Sequence, residues 1–393
     1  MENIIDRADS IIDAALKFGI NPSLEPIHRI CELLGHPEQK YVCIQVGGTN
    51  GKTSTSRYLA ALLRAAGYKT GLYTSPELVH RRERVEVGGI PVDEESYAQA
   101  VVDVYETAQK DKLELTEFEL ITAAAFLMYA QNNVDYAVLE VGLGGRWDAT
   151  TVVTPAMAVF VGVDLEHTAI LGDTIEAIAI EKSKIVKAGT LVIAAPTHPE
   201  AIAVFKAEAQ AQGSRFVEVE NVINPELNSY QAQNKLTALT AFRELLGPDV
   251  LAEAEARQVL DDTVIPGRLE TMQENPLLII DATHNPASAR VLVNNFSVEH
   301  AILLLAILND KDAHGIIATL APHFDEIVAT QTMSPRAIPV EELAVIVEEV
   351  TGKAPQTYPS VKAALDVLLQ QERAVVATGS VTLAGEVRLL FGY

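Results

Sequence analysis

The stretch Val46-Gly47-Gly48-Thr49-Asn50-Gly51-Lys52-Thr53-Ser54 decides the reading of this chain. It follows the apolar run Tyr41-Val42-Cys43-Ile44 and opens an amphipathic segment, so it sits where a strand hands over to a helix. Glycines let the backbone turn and bring the amides of Gly48, Thr49, Asn50 and Gly51 toward phosphate oxygens. A helix N-terminus adds positive potential there, and Lys52 supplies a mobile cation. This is the chemistry of a P-loop. A strict P-loop has glycine five residues before Gly51, where Val46 stands, so the loop is a variant. The plain alternative is a structural glycine turn with a solvated lysine, and the placement between strand and helix favours phosphate. A kinase or a GTPase stays open at this point. The nearest match to a guanine-reading Asn-Lys-x-Asp is Asn309-Asp310-Lys311-Asp312, which has the wrong spacing.

Working outward, short β-rich runs alternate with amphipathic stretches, the pattern of an α/β fold with a largely parallel sheet. Strands are predicted at Tyr41–Val46, Tyr68–Thr74, Asp135–Val141, Ala156–Val161 and Thr190–Ala195. Helices are predicted at Thr53–Ala66, Asp93–Gln109, Glu117–Gln131, Thr174–Lys187 and Ser229–Leu246. A second alternation follows the turn signal Ile265-Pro266-Gly267-Arg268, with strands near Leu277–Asp281, Ala301–Ala306, Glu326–Thr330 and Ala374–Ala377. The expected domains are therefore 1–267 and 268–393.

The 393 residues are 48% hydrophobic and 21% charged, an ordinary globular composition, and the length suits two cores. Only Cys31 and Cys43 occur, which argues against a disulfide framework and for a reducing cytoplasm. No basic and apolar leader opens the sequence and no apolar run reaches spanning length, so a cytoplasmic, unprocessed protein with no membrane partner is expected. Thirty basic residues against 53 acidic ones give a net charge of −23, which excludes broad attraction to nucleic acid or anionic lipid. An anionic ligand must be captured locally, by backbone amides, single cations or a metal ion.

Four segments occur in one order: Gly48-Thr49-Asn50-Gly51-Lys52; Thr74-Ser75-Pro76; Glu140-Val141-Gly142-Leu143-Gly144-Gly145-Arg146-Trp147-Asp148-Ala149-Thr150; and Asp281-Ala282-Thr283-His284-Asn285-Pro286. Together they resemble the folylpolyglutamate synthase and dihydrofolate synthase family of the Mur ligase superfamily, over nearly the whole chain. The resemblance implies a P-loop-containing, Mur-ligase-like central domain with a smaller Rossmann-like C-terminal α/β domain, and ATP and substrates in the cleft between them. It implies an ATP-dependent amide ligase that adds L-glutamate to dihydropteroate or to a folate through an acyl phosphate, with Mg²⁺ as cofactor and ATP as cosubstrate. A monomer is expected. The rivals are a Mur-type ligase with a different carboxylate and amine, and a nucleotide-binding regulator that has lost turnover.

Phosphoryl transfer is largely positioning and charge neutralisation, which sets the roles sought. Lys52 should neutralise the β- and γ-phosphates, and a hydroxyl of Thr53 or Ser54 should hold Mg²⁺. Glu140 ends the strand Ala137-Val138-Leu139 at the sheet edge where α/β ligand sites form, and its hard oxygens suit Mg²⁺. The resemblance further implies that His167 ligates metal, with Glu166 where the family has aspartate. It places Lys182 where relatives carry a carbamylated lysine, Arg268 on ATP phosphates and Asn234 near adenine. Asp281 suits the ribose hydroxyls, and His284 the phosphate or the incoming glutamate. Thr74, Ser75, Pro76, Arg84, Phe118 and Thr122 are expected around the pterin, with Phe118 read equally as core. Glu77 stands where folate-type ligases commonly have histidine.

Overall fold

The apolar run before the glycine turn forms strand β1, Val42–Gly47, buried from Cys43 onward. A strand covered on both faces has no solvent side to spend polar residues on, hence its near-continuous apolar run. The computed structural model describes residues 3–19, 21–221, 230–296 and 298–393. They group into two units: one takes the described chain to Glu77, 81–221 and Gln231–Thr263, the other Leu78–His80 and Val264–Tyr393.

In the first unit the strands after β1 are β2 Thr70–Tyr73, β3 Val85–Val87, β4 Ile90–Pro91, β5 Tyr136–Glu140, β6 Met157–Phe160, β7 Leu191–Ala194 and β8 Phe216–Glu218. Their order is β4-β3-β2-β5-β1-β6-β7-β8, parallel from β2 through β8 and antiparallel at β3 and β4. The helices are α1 Ile4–Ala15, α2 Glu25–Leu33, α3 Lys52–Ala65, α4 Glu94–Lys110, α5 Glu117–Gln131, α6 Thr168–Leu171, α7 Ile175–Ser183, α8 Pro199–Ala211, α9 Tyr230–Leu246 and α10 Glu253–Asp262. The five strands predicted in this part match β1, β2, β5, β6 and β7 within two residues at each end. Helices α1 and α2, ahead of the first strand, add to the predicted elements; Ile12, Ile27 and Ile30 bury with Phe126 and Tyr129 of α5 in one core. Helix α7 stops at Ser183 instead of Lys187, because the chain turns there to bury Ile185 and Val186 with Phe160 and Phe205. The predicted start of the last helix, Ser229, lies outside the described residues.

Helix α5 begins with a capping box: Thr116 Oγ1 accepts from Glu119 N at 3.2 Å, and Glu119 Oε2 accepts from Thr116 N at 2.8 Å. Orphan amides of the helix start are thereby satisfied, which fixes where Phe118 stands.

The second unit has β9 Glu270–Glu274, β10 Leu277–Ile280, β11 Ile302–Leu305, β12 Glu326–Ala329, β13 Gln356–Thr357 and β14 Val375–Thr378, in the order β13-β12-β11-β14-β10-β9. Only β9 runs antiparallel among these described strands. Its helices are α11 Pro286–Asn295, α12 Ala313–Leu320, α13 Val340–Thr351, α14 Val361–Leu368 and α15 Val381–Leu390. The period-two alternation of β11 sends Ile302 and Leu304 to one face, with Leu365 and Leu383, and Leu303 and Leu305 to the other, with Ile316 and Leu343. That is a three-layer arrangement, a sheet covered on both sides.

Candidate active site

The glycine turn is shaped by close approaches that only glycine permits. Gly48 has φ 146°, and a Cβ there would stand 2.2 Å from Val161 Cγ2 at the end of β6. Gly51, the N-cap of α3 at φ 94°, would place a Cβ 2.5 Å from Asn234 Oδ1. Helix α9 thus sets Asn234 directly against the turn. Thr49 N donates to the Gly162 carbonyl at 2.7 Å, and its hydroxyl accepts from Asp164 N at 3.0 Å, so its side chain staples the turn to the segment after β6. Lys52 Nζ donates to the Thr49 carbonyl at 3.0 Å, folding back over the turn it follows.

The β1–β5 register pairs Val46 with Glu140 and so delivers a carboxylate beside the turn. Glu140 is 2% exposed and accepts from Thr53 Oγ1 at 2.9 and 3.0 Å and from Ser75 N at 3.3 Å. Thr53, not Ser54, meets the carboxylate; Ser54 is buried in the helix. A hydroxyl beside a carboxylate is a hard-oxygen donor set that fits a magnesium-like ion, which usually takes one or two carboxylates and completes its shell with phosphate and water. Among the described residues no three His, Cys, Asp or Glu side chains converge as a cage. His167 caps the short helix α6 with φ 51° and ψ 38°, a left-handed conformation uncommon for a residue other than glycine.

Lys182, at the end of α7, is 5% exposed and donates from Nζ to the Gly48 carbonyl at 2.7 Å. Burial, with the Lys52 charge adding to it, pushes its ammonium down to about 7. Two lysines therefore reach carbonyls of one glycine turn, Lys52 that of Thr49 and Lys182 that of Gly48. Lys184 is drawn away to Glu208 at 2.7 Å.

Within the first unit lies a cavity of about 450 Å³ walled by Phe118, Leu143, Arg146, Trp147, Asp148 and Glu181 among others. Gly142 has no room for a Cβ, which would stand 2.7 Å from the Phe118 ring, and Gly145 packs on the Glu181 and Lys182 carbonyls. Asp148 knots the loop: its carboxylate accepts from Leu143 N at 2.9 Å, Thr150 N at 3.0 Å and Thr150 Oγ1 at 2.6 Å. Burial raises its pKa against those donors. Below it Gln45 of β1, fully buried, donates to Thr150 Oγ1 at 3.1 Å. Arg146 forks onto Glu181, with Nη2 2.9 Å from Oε1 and Nε 3.0 Å from Oε1 and Oε2. Phe118 lines the cavity and packs on the Tyr73 ring.

Other predicted acceptor residues are placed differently. Thr122 is fully buried with its hydroxyl 3.0 Å from Tyr73 OH, so it is a core residue and not part of the cavity wall; α5 is buried nearly all round, and helical periodicity does not reveal which face is open. Arg84 is buried between Glu77 and Glu117, its guanidinium spent on these two carboxylates. Burial pulls the Glu77 carboxyl up, yet the Arg84 charge and hydrogen bond outweigh it and hold the group below its usual range. Thr74 is buried, with its amide on the Arg84 carbonyl at 3.0 Å. Ser75 and Pro76 are joined by a cis peptide, Pro76 being exposed.

In the second unit Asp281 is 7% exposed and directs its oxygens inward, accepting from Leu269 N, Thr283 N and Thr283 Oγ1 at 2.7 to 2.9 Å. A carboxylate used this way ties its own loop, through Thr283, to the turn at Leu269. His284 Nδ1 lies 2.9 Å from the Ala282 carbonyl, which only accepts, so Nδ1 carries the proton. Arg268 makes one hydrogen bond from its guanidinium among the described residues, to the Gly267 carbonyl at 3.2 Å.

Residues 46–240 match the Mur ligase middle domain, and residues 267–381 match the Mur ligase glutamate ligase domain. The dihydrofolate synthase/folylpolyglutamate synthase of Mycobacterium tuberculosis is 32% identical over 95% of this chain and 91% of its own length. The chain belongs to that family. A crystal structure of the M. tuberculosis folylpolyglutamate synthase with ADP and AMPPCP covers 99% of this chain and 98% of its own at 31% identity and a TM-score of 0.89. The Escherichia coli FolC with DHPP and ADP covers 98% and 97% at 28% identity and 0.85. The bifunctional folylpolyglutamate synthase/dihydrofolate synthase of Yersinia pestis with AMPPNP and a manganese ion covers 95% of each chain at 27% identity and 0.83. The folylpolyglutamate synthase/dihydrofolate synthase family therefore accounts for both units. No described helix is long and apolar enough to cross a membrane. In the sequence Trp147 and Asp148 stand out only as a family mark, and neither Gln45 nor Glu181 announces a role. The signal for the first two is a dense glycine motif ending in an aromatic and a carboxylate.

Proposed function

We propose that this chain joins L-glutamate to dihydropteroate or to a folate, using ATP and Mg²⁺. The acceptor carboxylate attacks the γ-phosphorus of ATP, releasing ADP and leaving an acyl phosphate. The glutamate amine then attacks the acyl carbon, phosphate departs and the amine gives up a proton. Lys52 and the amides of Gly48 to Gly51 hold the β- and γ-phosphates, Arg268 supplies a further cation, and Asn234 bounds the nucleotide beside Gly51. Thr53 and Glu140 would hold the magnesium ion, which would neutralise phosphate charge; His167 is a further candidate ligand. Lys182 in its neutral form is the form that adds carbon dioxide to give a carbamate, an anionic oxygen ligand. His284 serves phosphate or the incoming amino acid. The flat pterin takes the 450 Å³ cavity, whose wall includes the Phe118 and Trp147 side chains.

One observation supports this reading: the end of α7 puts Glu181 in the wall of the aromatic cavity and the next residue, Lys182, on the Gly48 carbonyl of the glycine turn. The test offers purified protein ATP, Mg²⁺ and glutamate with dihydropteroate, with tetrahydrofolate, or with neither. ADP and an amide product are expected only in the complete mixtures. ADP release that ignores the pterin overturns the folate assignment.

A further inference from the structure

We infer that Glu270, braced by Arg388, is a positioning residue for Arg268; this rests on the reading of Arg268 as a cation for nucleotide phosphate. Arg268 stands between Gly267 at φ 64° and Leu269 at φ 45°. A leucine in the left-handed region is an outlier that persists only where its surroundings over-determine it. Here they do. The amide before Arg268, Gly267 N, donates to Glu270 Oε2 at 2.7 Å, and the amide after it, Leu269 N, donates to Asp281 Oδ2 at 2.9 Å. The Gly267 carbonyl accepts from Ala282 N at 2.8 Å, and Arg268 N donates to the Ile265 carbonyl at 3.1 Å.

Both sides of the arginine are thus pinned by carboxylates whose residues are only 9% and 7% exposed. Buried carboxylates hold such a post only when their charge is answered. Asp281 is answered by Thr283 N and Oγ1 of its own loop besides Leu269 N, whereas Glu270 offers its second oxygen to Nη1 of Arg388, which α15 carries. The Arg388 side chain is 12% exposed, so the pair lies inside the unit and presents nothing to a ligand. Its output is the direction in which the Arg268 side chain leaves the turn, and the last helix of the chain sets it.

A double-mutant cycle on the full-length enzyme tests this, reading kcat, KM for ATP and KM for the pterin. Arg268→Ala and Glu270→Leu should each lower kcat/KM for ATP by about tenfold or more while moving the KM for the pterin by less than about twofold. Glu270→Gln with Arg388→Met keeps an oxygen for Gly267 N without charge and should recover to within about threefold of wild type. Adding Glu270→Leu to Arg268→Ala should cost less than about twofold more, because Glu270 acts through Arg268. Losses that multiply overturn the inference and leave the phosphate reading standing. A silent Arg268→Ala overturns the phosphate reading itself. Should Glu270→Leu fail to fold, Arg388→Gln takes its place in the cycle: a loss absorbed by Arg268→Ala supports the inference, and a loss that multiplies with it overturns it.

Discussion

Replacing Lys182 with methionine should make the protein more stable while destroying its activity. Burial and the neighbouring Lys52 charge move the Lys182 ammonium from 10.5 to about 7. A displacement of that size corresponds to roughly 5 kcal/mol of cost in the folded state when the group is charged. The sign follows from proton counting. Below pH 7 folded and unfolded chains both bind the proton, so the cost is fully present. Between pH 7 and 10.5 only the unfolded chain binds it, so the cost fades and wild-type stability falls less behind the variant as pH climbs through that window.

 Methionine keeps the aliphatic packing, has no charge to bury, and gives up the hydrogen bond to Gly48, worth about 1 kcal/mol. The expected gain is about 3 to 4 kcal/mol at pH 6, fading to nothing or a small loss by about pH 10. Trp147 is the one tryptophan of the sequence and lies in the first unit, so urea unfolding followed by its fluorescence reads the relevant transition. A variant no more stable than wild type at pH 6, or one whose advantage persists unchanged to pH 10, refutes the reasoning.

Thr53→Val should raise the Mg²⁺ concentration for half-maximal turnover by about tenfold, and Ser54→Ala by less than about threefold, because only Thr53 meets Glu140. A metal titration of both variants decides the order. Gly48→Ala forces a Cβ onto Val161 and should cost about 1 to 3 kcal/mol of stability, measured by urea midpoint, together with most ATP affinity, measured by calorimetry. Arg84→Met leaves Glu77 and Glu117 facing each other in a mostly buried setting and should lower stability by about 3 to 5 kcal/mol. Glu77→Gln in the same background should restore part of that loss, and no recovery would show that Arg84 acts through packing alone.

The glycine turn between β1 and α3 is legible in the sequence because its signal is local: strand, glycines, lysine and helix are contiguous, and a parallel sheet places such a turn at its carboxyl edge. The pairing of Thr53 with Glu140 is not, because it depends on the register that puts Val46 opposite Glu140, far away along the chain. Thr122 misleads for a related reason. Helix α5 is apolar nearly all round, so no polar stripe marks the side that opens to a cavity. The short edge strands β4 and β9 escape sequence reading because Ile90–Pro91 is two residues long and Glu270–Glu274 is largely polar. Glu77 looks like a departure in an acceptor pocket, and the structure instead gives it a cation, Arg84, close by in sequence.

Glu181 and Lys182 are neighbours along the chain, one in the wall of the cavity and the other on the phosphate turn. Their Cα atoms are therefore fixed about 3.8 Å apart by a single peptide bond. No slippage of α7 along its axis can pull these two anchor points apart, since both travel together. The Phe118 part of the cavity wall is not coupled to the glycine turn in this way, because its ring rests on Tyr73.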